Sequence, residues 1–280
     1  MVAEAAAAGG GRPTAAVRVL ALRGERRLAW PETVVGEEPL EIRVAQPDGR
    51  AETVAVTMRT PGHDFELAIG FLRAEGLLGP ATMPRAVRYC VDAGERWHNV
   101  VTVDLTEPVR IARRRDFTVS ASCGVCGSAS IDDLAERCDA LPPGPVLDPA
   151  QLLALPEALR AAQPLFDATG GVHAAGLFDR DGRLLAARED VGRHNAVDKL
   201  LGWCALEAHR PDAAVLCVSG RVSFEIVQKA AVGRFPILIA VSAPSSLAVD
   251  TARRLGLTLI AFARGRHANV YAGPERVGAR

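Results

Sequence analysis

The sequence is almost without lysine. Lys199 and Lys229 are the only two, and arginine supplies the rest of the 33 basic residues. Because 33 acidic residues oppose them, net charge is absent too. Bulk attraction to nucleic acid or to a membrane surface is therefore not expected. No apolar run approaches the roughly 20 residues of a spanning helix. The opening segment, Met1 to Thr14, is rich in alanine and glycine and has neither the basic flank nor the apolar stretch of a signal peptide. There is no fixed-period repeat, and no exposed apolar stripe is visible. Six cysteines in 280 residues do not make a disulfide framework, and Cys204 and Cys217 sit among apolar neighbours as buried thiols do. A reducing cytoplasm follows as the expected compartment. Arginine suits phosphate through its planar fork of donors, although genomic base composition, with alanine abundant as well, is the simpler source of the bias as a whole.

What remains is an ordinary globular balance, 49% hydrophobic and 24% charged, long enough for one large domain or two small ones. Residues 1–30 read as a partly disordered tail followed by a first strand or hairpin. Residues 31–115 read as a smaller, β-rich N-terminal subdomain. Within it, Leu40 to Val44 and Thr53 to Met58 flank the turn Pro47-Asp48-Gly49 as a hairpin, and Asp64 caps a helix that stops at Gly76 and Gly79. Arg85 to Val91 and Val100 to Leu105 alternate as two more strands. Residues 116–145 hold a small, polar, glycine-bearing loop and a linker that ends in Leu141-Pro142-Pro143-Gly144-Pro145. Residues 146–280 alternate strands and helices: strands at 173–179, 184–188, 213–218, 236–241 and 257–262, helices at 149–163, 194–208, 223–232 and 245–255. That rhythm predicts an α/β fold with a three-layer α/β/α arrangement.

Two constellations carry chemistry. The first is Cys123-Gly124-Val125-Cys126. Sulfur transfer needs an exposed, partly ionised thiol, and glycine and serine on both sides supply access and mobility. A second thiol three residues away can capture or release sulfur through a transient disulfide. A structural zinc site would need about four ligands, and no second Cys-x-x-Cys exists to complete one. A thioredoxin-like pair should open a long helix. On its own, the motif leaves sulfur or redox chemistry and a metal or structural role equally open.

The second constellation lies at the ends of three expected strands: Ser219-Gly220-Arg221, Ser242-Ala243-Pro244-Ser245 and Phe262-Ala263-Arg264-Gly265-Arg266-His267. Ligands of α/β sheets bind outside the carboxyl ends of strands, and hydroxyls, glycine amides and arginines suit phosphate. Each turn alone is ordinary punctuation; three together favour an anionic ligand. Gly192-Arg193-His194-Asn195 places His194 at a helix start. His173 reads by default as a structural histidine, and Glu189 and Asp190 as surface or helix-start charges.

Ser122-Cys123-Gly124-Val125-Cys126-Gly127 strongly resembles the loop of FdhD-type formate dehydrogenase accessory sulfurtransferases. So do Glu37-Glu38-Pro39-Leu40, Met58 to Asp64, Thr169 to His173, Glu189 to Asn195 and Ser219-Gly220-Arg221, in order, from about Pro31 to Ala272. The resemblance implies a cytidine-deaminase-like α/β fold. It implies sulfur transfer from a cysteine desulfurase to Mo-bis(molybdopterin guanine dinucleotide), the cofactor of an apo formate dehydrogenase. Cys123 would hold the persulfide with Cys126 assisting, and Phe262, Ala263, Arg264, Gly265, Arg266 and His267 would contact the cofactor's guanine nucleotide arm. The cofactor's two arms suit a homodimer. No metal site is expected. A zinc-dependent deaminase would require a His-x-Glu, which occurs nowhere, and proline where Ser122 stands. A non-catalytic chaperone for the cofactor would need the crevice and not the thiols.

Overall fold

The computed structural model describes residues 11–79, 82–90, 98–109, 118–119, 140–141, 143–207 and 215–278. Its first element is an antiparallel ribbon, β1 (Thr14–Arg23) and β2 (Arg26–Val35). Gly24 makes the turn between them at φ 62°, a backbone that side chains resist. A two-stranded ribbon has no second layer to cover it. Leu20 and Leu22 stand exposed on one face, and Val17, Leu28 and Trp30 on the other. This is the exposed apolar surface that the sequence did not reveal. The apolar residues are interleaved with arginines, so no stripe stands out until the strands are paired.

Leu40, Ile42 and Val44 alternate with Glu41 and Arg43, so one face of that segment is apolar. It forms β3 (Glu38–Ala45), pairs with β4 (Ala51–Arg59), and joins β5 (Ala86–Tyr89), β6 (Val100–Asp104) and β7 (Thr118–Val119) in a sheet of order β5-β6-β3-β4-β7. Helix α1 (Asp64–Ala74) covers it, with Phe65, Ile69 and Leu72 packed on Leu40, Ile42 and Val103.

The second sheet has order β13-β12-β11-β10-β8-β9: β8 (His173–Phe178), β9 (Leu184–Asp190), β10 (Val215–Val218), β11 (Ile237–Ala240), β12 (Thr258–Arg264) and β13 (His267–Ala272). Its central strands are apolar on both faces, as strands buried twice must be. Val215, Cys217, Ile237 and Ile239 face α2 (Pro149–Ala161), which offers Leu152, Leu155 and Leu159. A six-residue helix, α3 (Pro164–Thr169), follows α2. Leu216, Val218, Leu238 and Ala240 face the other way, toward α4 (Arg193–Leu206), α5 (Phe224–Val232) and α6 (Ser246–Arg254). The second half is thus helix, sheet, helix in layers. Strand β12 runs two residues past its expected end and returns as β13, because Gly265 at φ 55° and Arg266 make a tight hairpin turn.

Helices α1 and α4 lie back to back between the two sheets. A Cβ on Gly70 would fall on the Asp198 carbonyl, and one on Gly202 would fall on the Glu66 carbonyl. Only glycine permits this approach. Around the contact, Arg188 of β9 holds Glu66 at 2.5 Å and Lys229 holds Asp198 at 2.5 Å. The second pair is buried and the first largely so, and both join residues far apart in the chain.

Candidate functional site

Strands β10, β11 and β12 run parallel, so their carboxyl ends share one edge of the sheet. A groove of about 740 Å³ opens there, lined by Ser219, Val241, Ala263, Arg264 and Gly265. Leu159, Arg160 and Phe166 of α2 and α3 form part of the same lining, with Gly171 and His173. The Arg264 Nε donates to the Val241 carbonyl at 3.3 Å, and its terminal nitrogens have no ion-pair partner among the described residues. Two residues earlier, Phe262 holds a left-handed backbone at φ 54° while its N–H donates to the Ser242 carbonyl. Its ring is 43% exposed. Phe262, Arg266 and His267 sit exposed beside the groove and are not part of its lining.

Behind the groove, Asp190 ends β9 and is fully buried. It accepts from the Thr60 N–H at 3.1 Å, the Gly192 N–H at 2.8 Å and Asn195 Nδ2 at 3.0 Å, and it pairs with Lys199 Nζ at 2.7 Å. Lys199 also donates to the Thr60 carbonyl at 3.0 Å. Four acceptor positions are filled by four donors, so the charge is compensated. Glu189 accepts from the Leu165 and Phe166 N–H groups at the start of α3. Of the two roles left open by the sequence, surface charge or helix-start residue, both carboxylates take the second. His173 pairs with Asp190 across β8 and β9 and borders the groove, rather than serving only as packing. His194 lies in the first turn of α4, and burial, then the charges of Lys229 and Arg193, push its imidazole down to about 3.

Sequence reasoning placed Ser219, Ala263, Arg264 and Gly265 at one crevice, and the fold brings them to one groove wall. It missed the Thr60–Asp190–Lys199 hub. The available signal was the rarity of lysine: both lysines of the chain are buried against aspartates. Cys123 and Cys126 lie outside the described residues.

The family model described as the FdhD/NarQ family matches residues 35–278. The chain belongs to the FdhD/NarQ family. Among its relatives, the sulfur carrier protein FdhD of Mycolicibacterium paratuberculosis is 48% identical, covering 93% of this chain and 97% of that one. The protein of the same name from Streptomyces avermitilis is 47% identical, covering 96% of this chain and 98% of the relative. The crystal structure of a putative formate dehydrogenase accessory protein from Desulfotalea psychrophila superimposes with a TM-score of 0.74 at 26% identity, covering 95% of this chain and 99% of that chain. The FdhD/NarQ match contains the groove, the Asp190 hub and the Cys123 to Cys126 motif. It begins at Val35, so nearly all of the exposed ribbon lies before it.

Proposed function

We propose that this chain is a sulfur carrier in formate dehydrogenase maturation. It takes sulfur from a cysteine desulfurase as a persulfide on Cys123 and delivers it to Mo-bis(molybdopterin guanine dinucleotide) before the cofactor enters the apo-dehydrogenase. The observation that carries this reading is the family membership, with relatives named sulfur carrier protein FdhD matching over nearly the whole chain. In the loading step the Cys123 thiolate attacks the outer sulfur of the donor persulfide. One S–S bond forms as another breaks, and the donor cysteine leaves as a thiolate, so no external oxidant or reductant is needed. Attack by Cys126 on the inner sulfur then releases the outer one as hydrosulfide. It leaves a Cys123–Cys126 disulfide for an external thiol to reduce. Burial pushes the Cys204 thiol up to about 12 and raises Cys217 as well, so neither competes as a nucleophile.

The groove and the exposed turn beside it support the acceptor half of the reading. The free end of Arg264 suits a phosphate, Gly265 lets backbone approach closely, and the exposed ring of Phe262 suits a guanine base. The apolar ribbon supports a homodimer, and helices on both faces of the second sheet support the cytidine-deaminase-like assignment. Cytoplasmic work beside these partners completes the proposal.

Intact-mass measurement after incubation with a desulfurase and cysteine tests it. Wild type and Cys126→Ala should gain sulfur, and Cys123→Ala should not. Equal loading of Cys123→Ala removes the persulfide assignment. A Cys123→Ala variant that still supports dehydrogenase activity would instead favour a non-catalytic cofactor chaperone.

A further inference from the structure

Toward the β10 side of the groove the chain gathers two arginines and a histidine that make no direct ion pair among the described residues; Glu225 acts on Arg193 only through space. His173 opens β8, Arg193 opens α4, and Arg221 follows β10; of the three, His173 lines the groove and the two arginines stand beyond its lining. Gly220 lies between them: a Cβ there would stand 3.3 Å from His173 Nδ1 and 3.5 Å from Arg193 Cβ. The missing side chain leaves a small cradle open. Arg193 and Arg221 make no hydrogen bond or ion pair among the described residues, although Arg193 Nε is shut off from water. The buried carboxylate nearby, Asp190, is already satisfied by Lys199 and three N–H donors. Helix α4 begins at this point with no side chain capping it. Burial, then the Arg193 and Arg221 charges, hold the His173 imidazole below its ordinary range. Like charges crowded together, with one donor dehydrated and unpaired, are costly unless an anion completes the set.

We propose that His173, Arg193 and Arg221 form a second anion subsite, which holds an oxyanion group of the ligand that the groove receives. One strand separates β10 from β12, so this subsite lies roughly 10 Å from the 262–267 turn. The inference rests on the reading of the groove as a cofactor cradle and divides its labour. The β12 turn takes the base and the nearer phosphate, and the β10 turn takes a second oxyanion. Two groups share that chemistry, a further phosphate of the nucleotide arm and the oxo-metal end of the cofactor. Arginine forks suit either through paired hydrogen bonds.

Calorimetric titration of molybdate, GDP and guanosine into wild type, Arg193→Gln and Arg221→Gln, at matched salt and with folding checked by circular dichroism, tests the subsite. Each variant should bind at least one of the two oxyanion probes about tenfold more weakly, the loss expected of one charge-assisted contact, with guanosine affinity unchanged. Weaker GDP binding assigns the subsite to a phosphate; weaker molybdate binding alone assigns it to the oxo-metal end. Equal affinities of wild type and both variants for both probes, or no binding of either probe to wild type, overturn the subsite. If guanosine and GDP bind no form while molybdate binding still depends on Arg193, the nucleotide reading of the groove fails and the subsite stands. Should the glutamine variants fold poorly, Gly220→Ala fills the cradle without removing charge and should weaken the same probe; unchanged binding by it counts against the subsite. Anion binding should also raise the pH at which the His173 imidazole protonates, read by NMR, a response that a purely structural arginine would not produce.

Discussion

Phe262 combines a left-handed backbone with a ring that stays 43% exposed. For a bulky residue that conformation costs about 1–3 kcal/mol, and the ring recovers little of it by burial. Strain of this kind collects where function needs it. Asparagine takes left-handed backbone more readily, so Phe262→Asn should melt at the same temperature or higher. Its GDP affinity should drop about tenfold, since stacking of a base on an aromatic ring is worth about 1–3 kcal/mol. Thermal melting and calorimetry measure both; a lower melting temperature with unchanged affinity would assign Phe262 to the fold alone. His194 makes a second prediction at this scale. Its imidazole is pushed down to about 3 by burial and then by Lys229 and Arg193, whereas an unfolded histidine titrates near 6.5. Below about pH 6.5 the unfolded chain therefore binds a proton that the folded one refuses. Stability falls with pH from there toward pH 3, at up to about 1.4 kcal/mol per pH unit from this group. Urea unfolding between pH 5 and 8 should show a shallower slope for His194→Asn, and an unchanged slope would clear His194 of the effect.

Helices α1 and α4 meet through backbone because Gly70 and Gly202 carry no Cβ. A methyl group at either position lands on a carbonyl oxygen of the other helix, where nothing flexible can give way. Gly202→Ala should cost more than about 3 kcal/mol, at or above the upper end of ordinary overpacking, and urea unfolding reads it directly. A loss under about 1 kcal/mol would mean that the helices slide apart cheaply. At this scale much of the molecule was legible in the sequence. Alternation at Leu40, Ile42 and Val44 marked β3, and the doubly apolar runs around Cys217 and Ile239 marked the central strands. The hairpin of β12 and β13 was not legible, because Gly265-Arg266 reads equally well as the start of a ligand loop. The Asp190 hub was hidden for a different reason. Its donors come from Thr60, Gly192, Asn195 and Lys199, and no local pattern announces that residues 60 and 190 touch. Arg264 and Ser219 could be placed beside one groove because strand ends are a general address for ligands, whatever the ligand is.

The two sheets use residues from opposite halves of the chain, yet their cores are not separate. Ala205 of α4 packs into the core of the first sheet, and Ala74 of α1 into that of the second. With Arg188–Glu66 paired across the same boundary, neither sheet keeps its cover if the other opens. Unfolding by urea should therefore follow one transition, with far-ultraviolet circular dichroism and tryptophan fluorescence superimposing; two resolved transitions would show that the halves stand alone. The Pro- and Gly-rich stretch from Leu141 to Pro145 reads as a boundary in the sequence, but such a stretch says nothing about how closely the flanking parts embrace. The β1–β2 ribbon is the exception to this closure, joined at its root and bare along its length.

The scarcity of lysine has one more outcome once burial is known. Lys199 is 1% and Lys229 7% exposed, each amine locked against an aspartate. The native fold thus offers no accessible ε-amine to an acylating reagent, a ligase or a cross-linker. Acylation at these two positions becomes a clock for the opening of α4 and α5, and label that appears there in a folded sample records how often those helices come loose.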